Sequence, residues 1–135
     1  MTQQHSAEEW IECLAWNQDD LLPVVTQESA SGRILTLAWM NRAALAETVA
    51  TGHAVYWSRS RKRLWHKGEE SGYYQYIEEI RTDCDKDSLL LTVRQEGGIA
   101  CHTGRHSCFY LRLDGRTWQT VDPILRDPGL IYKKS

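Results

Sequence analysis

Short strand-like segments separated by turn-forming residues constrain the fold of this chain most strongly. The clearest signal is Asp114-Gly115, which lies between residues 109–113 and 116–121 and is typical of a two-residue β-hairpin turn. Further strand-like segments cover residues 21–26, 33–39, 54–60, 73–82 and 89–95. Strands that follow one another through short turns pair antiparallel, so the sequence predicts a mostly antiparallel sheet.

Two helices accompany these strands. Ser6 and Glu9 have the spacing of a capping box and predict a helix that continues to about residue 16. Asn41 is a suitable N-cap for a second helix over residues 42–51, which Gly52 would end. The predicted fold is therefore α+β, a single compact domain with a mostly antiparallel sheet and about two helices.

A length of 135 residues fits one domain that buries its own core. We assign residues 1–135 to this domain, with its core at about 21–113 and a loosely ordered tail at 122–135. The first residues show no basic segment followed by an apolar one, and no apolar run is long enough to span a bilayer. We therefore expect a cytoplasmic protein.

The sequence contains four cysteines, Cys13, Cys84, Cys101 and Cys108. In a reducing compartment, cysteines serve as metal ligands or buried thiols more often than as disulfides. Cys101 and Cys108 are separated by six residues, which is not the spacing of a zinc finger. Together with Cys84 they give three thiols, and three protein ligands with an open position are typical of catalytic zinc. A fourth ligand from His102 or His106 would make the site structural.

The segment Asp83-Cys84-Asp85-Lys86-Asp87 alternates carboxylates with other residues. In an extended backbone the three carboxylates would share one face and Cys84 would lie on the other. Oxygen ligands suit magnesium and thiolates suit zinc, so the segment predicts two metals held back to back. The alternative is a solvated acidic turn beside a buried cysteine.

A basic run at residues 57–67 is the second candidate site. As a strand it would place Trp57, Arg59 and Arg61 on one face, and Ser58 and Ser60 on the other. Guanidinium groups and hydroxyls at this density are typical of phosphate binding, although such runs are often only solvated strands. Basic residues interleaved with tryptophan also fit single-stranded nucleic acid, so a zinc-stabilised nucleic-acid-binding module is an alternative function. The net charge of −2 gives that alternative no overall electrostatic support.

Several motifs in a fixed order resemble those of the phosphoribosyl-AMP cyclohydrolase family, over about residues 21–113. They are Leu37-Ala-Trp-Met-Asn41, Trp57-Ser-Arg-Ser-Arg61, Leu64-Trp65-x-Lys67-Gly68-Glu69, Ser71-Gly72, Asp83-Cys84-Asp85-x-Asp87, Ala100-Cys-His-Thr-Gly104 and Ser107-Cys-Phe109. No single motif is specific, whereas the ordered set is. One departure is Tyr73, which stands where the family often has His or Asn.

The resemblance implies an enzyme of histidine biosynthesis. Family members hydrolyse the N1–C6 bond of the adenine in 1-(5-phosphoribosyl)-AMP, the third step toward L-histidine, and so open the purine ring. The resemblance further implies an intertwined homodimer with one zinc and one magnesium ion per subunit. The implied zinc ligands are Cys84, Cys101 and Cys108, with Cys84 contributed across the dimer interface. The implied magnesium ligands are Asp83, Asp85 and Asp87.

The expected mechanism uses a zinc-bound hydroxide that attacks C6 of the cationic purine. Three thiolates leave the zinc site negative and acidify the bound water less than three histidines would, so we expect a neighbouring general base. His102 is the first candidate, followed by His106 and His66. The candidates for substrate binding are Trp57, Ser58, Arg59, Ser60, Arg61, Trp65 and Lys67, with magnesium on a phosphate or near the purine. A purely structural zinc dimer remains the second alternative.

Overall fold

The computed structural model describes residues 9–132, and this part of the chain contains eight strands. They are β1 (Leu22–Glu28), β2 (Ile34–Met40), β3 (Val55–Ser58), β4 (Arg63–His66), β5 (Gln75–Thr82), β6 (Leu89–Gln95), β7 (Leu111–Asp114) and β8 (Thr117–Thr120). Four of them form a sheet in the order β2-β1-β6-β5, while β3–β4 and β7–β8 are separate hairpins. Of the pairings, β1–β6 is parallel and the others are antiparallel, so the predicted mostly antiparallel α+β fold is confirmed.

Two helices precede the middle of the chain. The first, α1, covers residues 9–12 and ends there rather than at about residue 16, and the predicted cap at Ser6 lies outside the described residues. The second, α2 (Arg42–Thr51), has both predicted ends. The Asn41 side chain accepts a hydrogen bond from a first-turn amide at 2.8 Å, and Gly52 ends the helix with a φ of 82°. Within residues 9–132, no helix has the length and apolar character needed to cross a membrane.

The C-terminal segment is more structured than the sequence predicts. It contains a short helix, α3 (Pro128–Ile131), and the Asp127 side chain accepts a hydrogen bond from the Gly129 amide in its first turn. Ile131 is buried, and Asp122 forms an ion pair with Arg33 beside β2. Residues 122–132 are therefore held against the rest of the domain by defined contacts.

The core lies on one face of the four-stranded sheet. Alternate residues of the two central strands are fully buried, among them Leu22 and Val24 in β1 and Leu91 and Val93 in β6. Leu45 of α2 is buried with them, because the helix and the β3–β4 hairpin cover this face. The alternation has the period of two that a half-buried strand requires.

Two turns differ from the predicted ones. The segment predicted as one strand over residues 54–60 stops at Ser58, and residues 59–62 form the turn of the β3–β4 hairpin. The amide of Lys62 donates to the Ser58 carbonyl at 2.8 Å, and Lys62 has a φ of 55°. In the β7–β8 hairpin the two turn residues are Gly115 and Arg116, one position later than the predicted Asp114-Gly115.

Candidate active site

Cys101 and Cys108 lie on one tight loop between β6 and β7. The amide of Ala100 donates to the His106 carbonyl at 3.1 Å and closes the loop on itself. The amide of Cys108 donates to the Leu35 carbonyl in β2 at 2.7 Å and fixes the end of the loop to the sheet. The loop brings the two sulfurs together.

The two thiols share a hydrogen bond, which separates their pKa values. This bond lowers the pKa of Cys101 to about 5, with further support from Thr103, whose hydroxyl donates to the Cys101 sulfur at 3.1 Å. The same bond and burial raise the pKa of Cys108. Since the thiolate is the form that binds a metal, the lowered pKa of Cys101 favours its role as a metal ligand.

Two cavities lie next to this loop and share four lining residues, Trp65, Lys67, His102 and Tyr132. The larger, of about 430 Å³, is otherwise lined by Ser58, Arg61, Arg63, Gly68, Glu70 and Ser71. The smaller, of about 160 Å³, is otherwise lined by Thr36, Ala38, Tyr56, Ala100 and Cys108. Guanidinium groups and hydroxyls therefore border the larger cavity, and a thiol borders the smaller one.

A chain of buried hydrogen bonds links the smaller cavity to the thiol loop. The Tyr56 hydroxyl lies 2.7 Å from the Thr26 hydroxyl and donates to the Gln75 side chain at 2.6 Å. Gln75 in turn donates to Gln95 at 2.9 Å, and Gln95 donates to the carbonyl of Ile99 at 3.2 Å. Burial raises the pKa of Tyr56, so its hydroxyl stays protonated. These bonds hold the backbone that leads into Cys101.

Lys67 is a buried cation at the boundary of both cavities. Only 6% of the Lys67 surface is exposed. Its ammonium donates a hydrogen bond to the Ala100 carbonyl at 2.5 Å. The ammonium also lies 5.2 Å from the centroid of the Trp65 ring. Burial lowers the pKa of Lys67, while the charges of Cys108 and Cys101 oppose that shift. Lys67 thus positions the residue before Cys101 and places a positive charge near the thiols.

The three predicted general bases occupy different surroundings. His102 lines both cavities. His106 Nε2 lies 2.7 Å from a carboxylate oxygen of Glu28, and His66 Nε2 lies 3.7 Å from a carboxylate oxygen of Glu47 in α2. The structure therefore brings His102 to the cavities and pairs the other two with acidic side chains elsewhere.

The predicted substrate-binding residues are also divided. Those that line the larger cavity are Ser58, Arg61, Trp65 and Lys67. Those that lie outside the walls of both cavities are Trp57, Arg59 and Ser60. The Arg59 guanidinium lies 4.5 Å from the centroid of the Trp39 ring. The strand alternation assumed for this run ends at Ser58, and residues 59–62 form the hairpin turn.

Sequence reasoning missed several lining residues. Arg63 belongs to the basic run, and its charge suits phosphate binding as well as that of Arg59 or Arg61 does. Ser71 belongs to a recognised motif but was given no role, whereas Glu70 and Tyr56 only lie next to recognised motifs. Tyr132 stands in the segment predicted as a loose tail, and no signal in the sequence points to it.

The acidic segment is a turn between β5 and β6, so the predicted extended alternation is wrong. The amide of Lys86 donates to the Asp83 carbonyl at 3.0 Å, and Lys86 has a φ of 60°. The carboxylates converge nevertheless: one oxygen from each of Asp83, Asp85 and Asp87 lies within 4.8 Å of the others. A hydrogen bond with Asp83 raises the pKa of Asp87. A hard divalent cation would relieve this crowding, so the oxygen donors fit magnesium.

Cys84 lies in the same turn and is exposed rather than buried. Among residues 9–132, the three aspartates form the only group of three or more side chains with metal-type ligand atoms this close together. Cys84 of one chain therefore does not complete a three-thiol cluster with Cys101 and Cys108 of the same chain.

Comparison with known proteins gives one consistent answer. A family model described as phosphoribosyl-AMP cyclohydrolase matches residues 36–110. The protein of that name from Bordetella avium (strain 197N) is 60% identical over 129 residues, which cover 93% of this chain and 96% of its own length. The one from Thioalkalivibrio sulfidiphilus (strain HL-EbGR7) is 56% identical over 124 residues, covering 92% and 95%. This chain belongs to the phosphoribosyl-AMP cyclohydrolase family, whose members are hydrolases that act on C–N bonds.

Proposed function

We propose that this protein hydrolyses the N1–C6 bond of the adenine ring in 1-(5-phosphoribosyl)-AMP, as a step of histidine biosynthesis. The observation that carries the proposal is the pair of cavities with Trp65 common to both. Arg61 and Arg63 border one of them and Cys108 borders the other. A substrate with phosphates at its ends and a reacting purine needs both kinds of surroundings.

Two metals fit the donors on the chain. Cys101 and Cys108 would hold zinc together with Cys84 from a second copy, and the aspartates of the β5–β6 turn would hold magnesium. When bound, zinc supplies Lewis acidity that makes water a nucleophile at neutral pH, and magnesium neutralises charge on the substrate. The hydrogen-bonded thiol pair and the converging carboxylates support this assignment.

The other roles fall to groups that border the cavities. Arg61, Arg63 and Ser58 bind phosphate oxygens through charge-assisted hydrogen bonds. The Trp65 ring stacks on the purine. The imidazole of His102 accepts the proton of the attacking water, since it borders both cavities. Lys67 keeps the thiol loop in place through the Ala100 carbonyl.

A homodimer is part of the proposal. Cys84 lies in a turn apart from the other two thiols, so the proposed zinc site is incomplete within one chain. The β7–β8 hairpin exposes large apolar side chains, with Leu111 49%, Leu113 52% and Trp118 64% exposed. Contiguous apolar surface of this kind marks a protein interface. The cytoplasmic location, expected because the sequence shows neither a signal peptide nor an apolar run long enough to span a bilayer, stays a prediction.

The decisive test is turnover of phosphoribosyl-AMP by the purified protein. We expect an absorbance change on ring opening that stops after a zinc chelator is added and returns when zinc is restored. Zinc per chain, measured by atomic emission on the same samples, should fall and recover in parallel. Activity that persists in verified metal-free protein would refute the metal-dependent mechanism. Absent turnover combined with salt-sensitive binding of single-stranded RNA would favour the nucleic-acid alternative.

Arg61→Ala is expected to raise KM for phosphoribosyl-AMP roughly tenfold with little change in kcat, because a charge-assisted bond to phosphate contributes about 1.5–3 kcal/mol. Steady-state kinetics give both values. Arg59→Ala should have the smaller effect, since its guanidinium lies over Trp39. Arg94→Ala, which removes an exposed arginine of β6, is the matched control. A larger KM change for Arg59→Ala than for Arg61→Ala would contradict the proposed phosphate contact.

Asp85→Asn is expected to raise the magnesium concentration needed for half-maximal activity by roughly tenfold or more while zinc stays bound. The reason is that one of three converging carboxylates loses its charge. Magnesium titration of activity and zinc analysis of the same protein measure the two effects. Asp19→Asn, at an exposed aspartate in a different turn, is the control. Simultaneous loss of zinc would show that the two sites are not separable.

A further inference from the structure

We propose that Tyr132 is a substrate-binding residue and that residues 122–132 form a wall of the active site. This inference rests on the proposed function and extends it to a part of the chain beyond residues 36–110, where the family model matches. Tyr132 lines both cavities, as do Trp65 and His102. It therefore lies between the larger cavity, which Arg61 and Arg63 line, and the smaller cavity, which Cys108 lines.

The wall is fixed to the domain at its start. Asp122 forms an ion pair with Arg33, whose guanidinium also donates to the Phe109 carbonyl at 3.3 Å. The carbonyl of Asp122 accepts a hydrogen bond from Arg105 at 2.9 Å. Arg105 belongs to the loop between Cys101 and Cys108, so the segment is attached to the thiol loop from its first residue.

Gly104 makes a second and closer attachment to the same loop. Its carbonyl accepts hydrogen bonds from the amides of Leu125 at 2.8 Å and Arg126 at 3.3 Å. Gly104 has a φ of 87°, and a Cβ at this position would lie 1.9 Å from the Arg126 carbonyl oxygen. Only a residue without a side chain permits this approach, so the C-terminal segment packs directly on the thiol loop.

Tyr73 provides the third attachment. Its hydroxyl accepts a hydrogen bond from the Arg126 guanidinium at 3.0 Å. Tyr73 is the residue at which this chain departs from the motif pattern described above, and here its hydroxyl contacts the C-terminal segment. The tyrosine at this position thus gains a structural partner in the wall.

The short helix α3 then orients the end of the segment. The Asp127 side chain accepts a hydrogen bond from the Gly129 amide at 2.8 Å, and Ile131 is 9% exposed. The next residue, Tyr132, borders the cavities and keeps 37% of its surface exposed. Burial, Cys101 and Glu70 raise the pKa of Tyr132, which is consistent with a ring that lies near the thiol loop.

The chemistry of this position favours the purine ring of the substrate. Bases stack on aromatic side chains, and each such contact contributes about 1–3 kcal/mol to binding. Two aromatic rings, Trp65 and Tyr132, border the boundary where a purine would lie between bound phosphates and the thiols. The segment therefore contributes to binding of the flat ring rather than to proton transfer.

The test compares Tyr132→Ala and Tyr132→Phe in the zinc-loaded, full-length enzyme. We expect KM for phosphoribosyl-AMP, and the inhibition constant of AMP used as a probe, to rise roughly tenfold in Tyr132→Ala. Tyr132→Phe keeps the ring and should stay within about twofold of the wild type. Leu130→Ala is the matched control, because Leu130 lies in the same helix and is 58% exposed. Zinc content and the unfolding temperature should be unchanged in all three variants.

Tyr73→Phe tests the attachment, because it removes the acceptor of the Arg126 bond and leaves the ring. We expect a smaller rise in KM with an unchanged kcat, the pattern of a positioning residue. A wild-type enzyme that turns over phosphoribosyl-AMP while Tyr132→Ala keeps its KM would overturn this inference alone. A wild-type protein that leaves phosphoribosyl-AMP intact would overturn the proposed function and the inference with it. If Tyr132→Ala fails to fold, Tyr132→Leu replaces it and the same KM criterion decides.

Discussion

Cys101→Ser is expected to abolish both zinc binding and hydrolysis of phosphoribosyl-AMP. The serine hydroxyl has nearly the same size as the thiol but does not ionise near neutral pH, whereas the pKa of Cys101 is about 5. Loss of a group that only supports a metal ligand costs 10–100-fold, so loss of a ligand itself should cost more than about 100-fold in activity. Zinc per chain and the rate of the absorbance change are measured on the same preparation.

The control for this substitution is Cys13→Ser. Cys13 is exposed, and its sulfur contacts the Trp10 carbonyl at 3.4 Å, apart from both cavities. It should keep zinc and activity within about twofold of the wild type, as surface substitutions usually do. Wild-type activity in Cys101→Ser with verified loss of zinc would rule out zinc as the source of the nucleophile.

His102→Gln is expected to lower kcat by about 10²–10⁴-fold while zinc remains bound. Glutamine keeps hydrogen-bonding capacity but cannot accept a proton from the attacking water. The expected size follows from the contribution that a positioned general base usually makes. Single-turnover and steady-state kinetics separate this loss from any change in substrate binding.

His66→Gln and His106→Gln test whether His102 is the correct choice. Both histidines lie next to carboxylates, His66 near Glu47 and His106 near Glu28, and neither borders the cavities. We expect their kcat values to fall by less than about tenfold, with any loss traceable to stability. A larger fall in either variant than in His102→Gln would move the base to that residue.

Much of the fold follows from local sequence signals. The sequence predicts β6 at residues 89–95 and the structure has it at Leu89–Gln95, where buried residues alternate with more exposed ones. The same holds for α2, where Asn41 and Gly52 mark the ends. The short ordered motifs also predict the family, and the comparisons confirm it.

The main failures concern turns that interrupt predicted strands and one residue, Tyr132, that is placed by distant contacts. Alternation was assumed through Asp83–Asp87, but a turn forms there because β5 and β6 pair and must be joined. The basic run was likewise predicted as one strand, but β3 and β4 pair and a turn joins them. Arg59 lies in this turn and does not line the larger cavity. Tyr132 was missed because its place is set by contacts with Gly104 and Tyr73, far away in sequence. The roles of the metal ligands stay predictions.

The parallel pairing of β1 with β6 has a consequence for the order of folding. The chain passes through β2, α2, β3, β4 and β5 before β6 returns to β1, so this pairing closes a long loop. Long-range closure slows folding, while the β1–β2 and β5–β6 hairpins can form locally. We therefore expect the carboxylates of Asp83–Asp87 to come together early, with their hairpin. We expect the thiol pair to form later, because the amide of Cys108 donates to the carbonyl of Leu35, which belongs to the other hairpin.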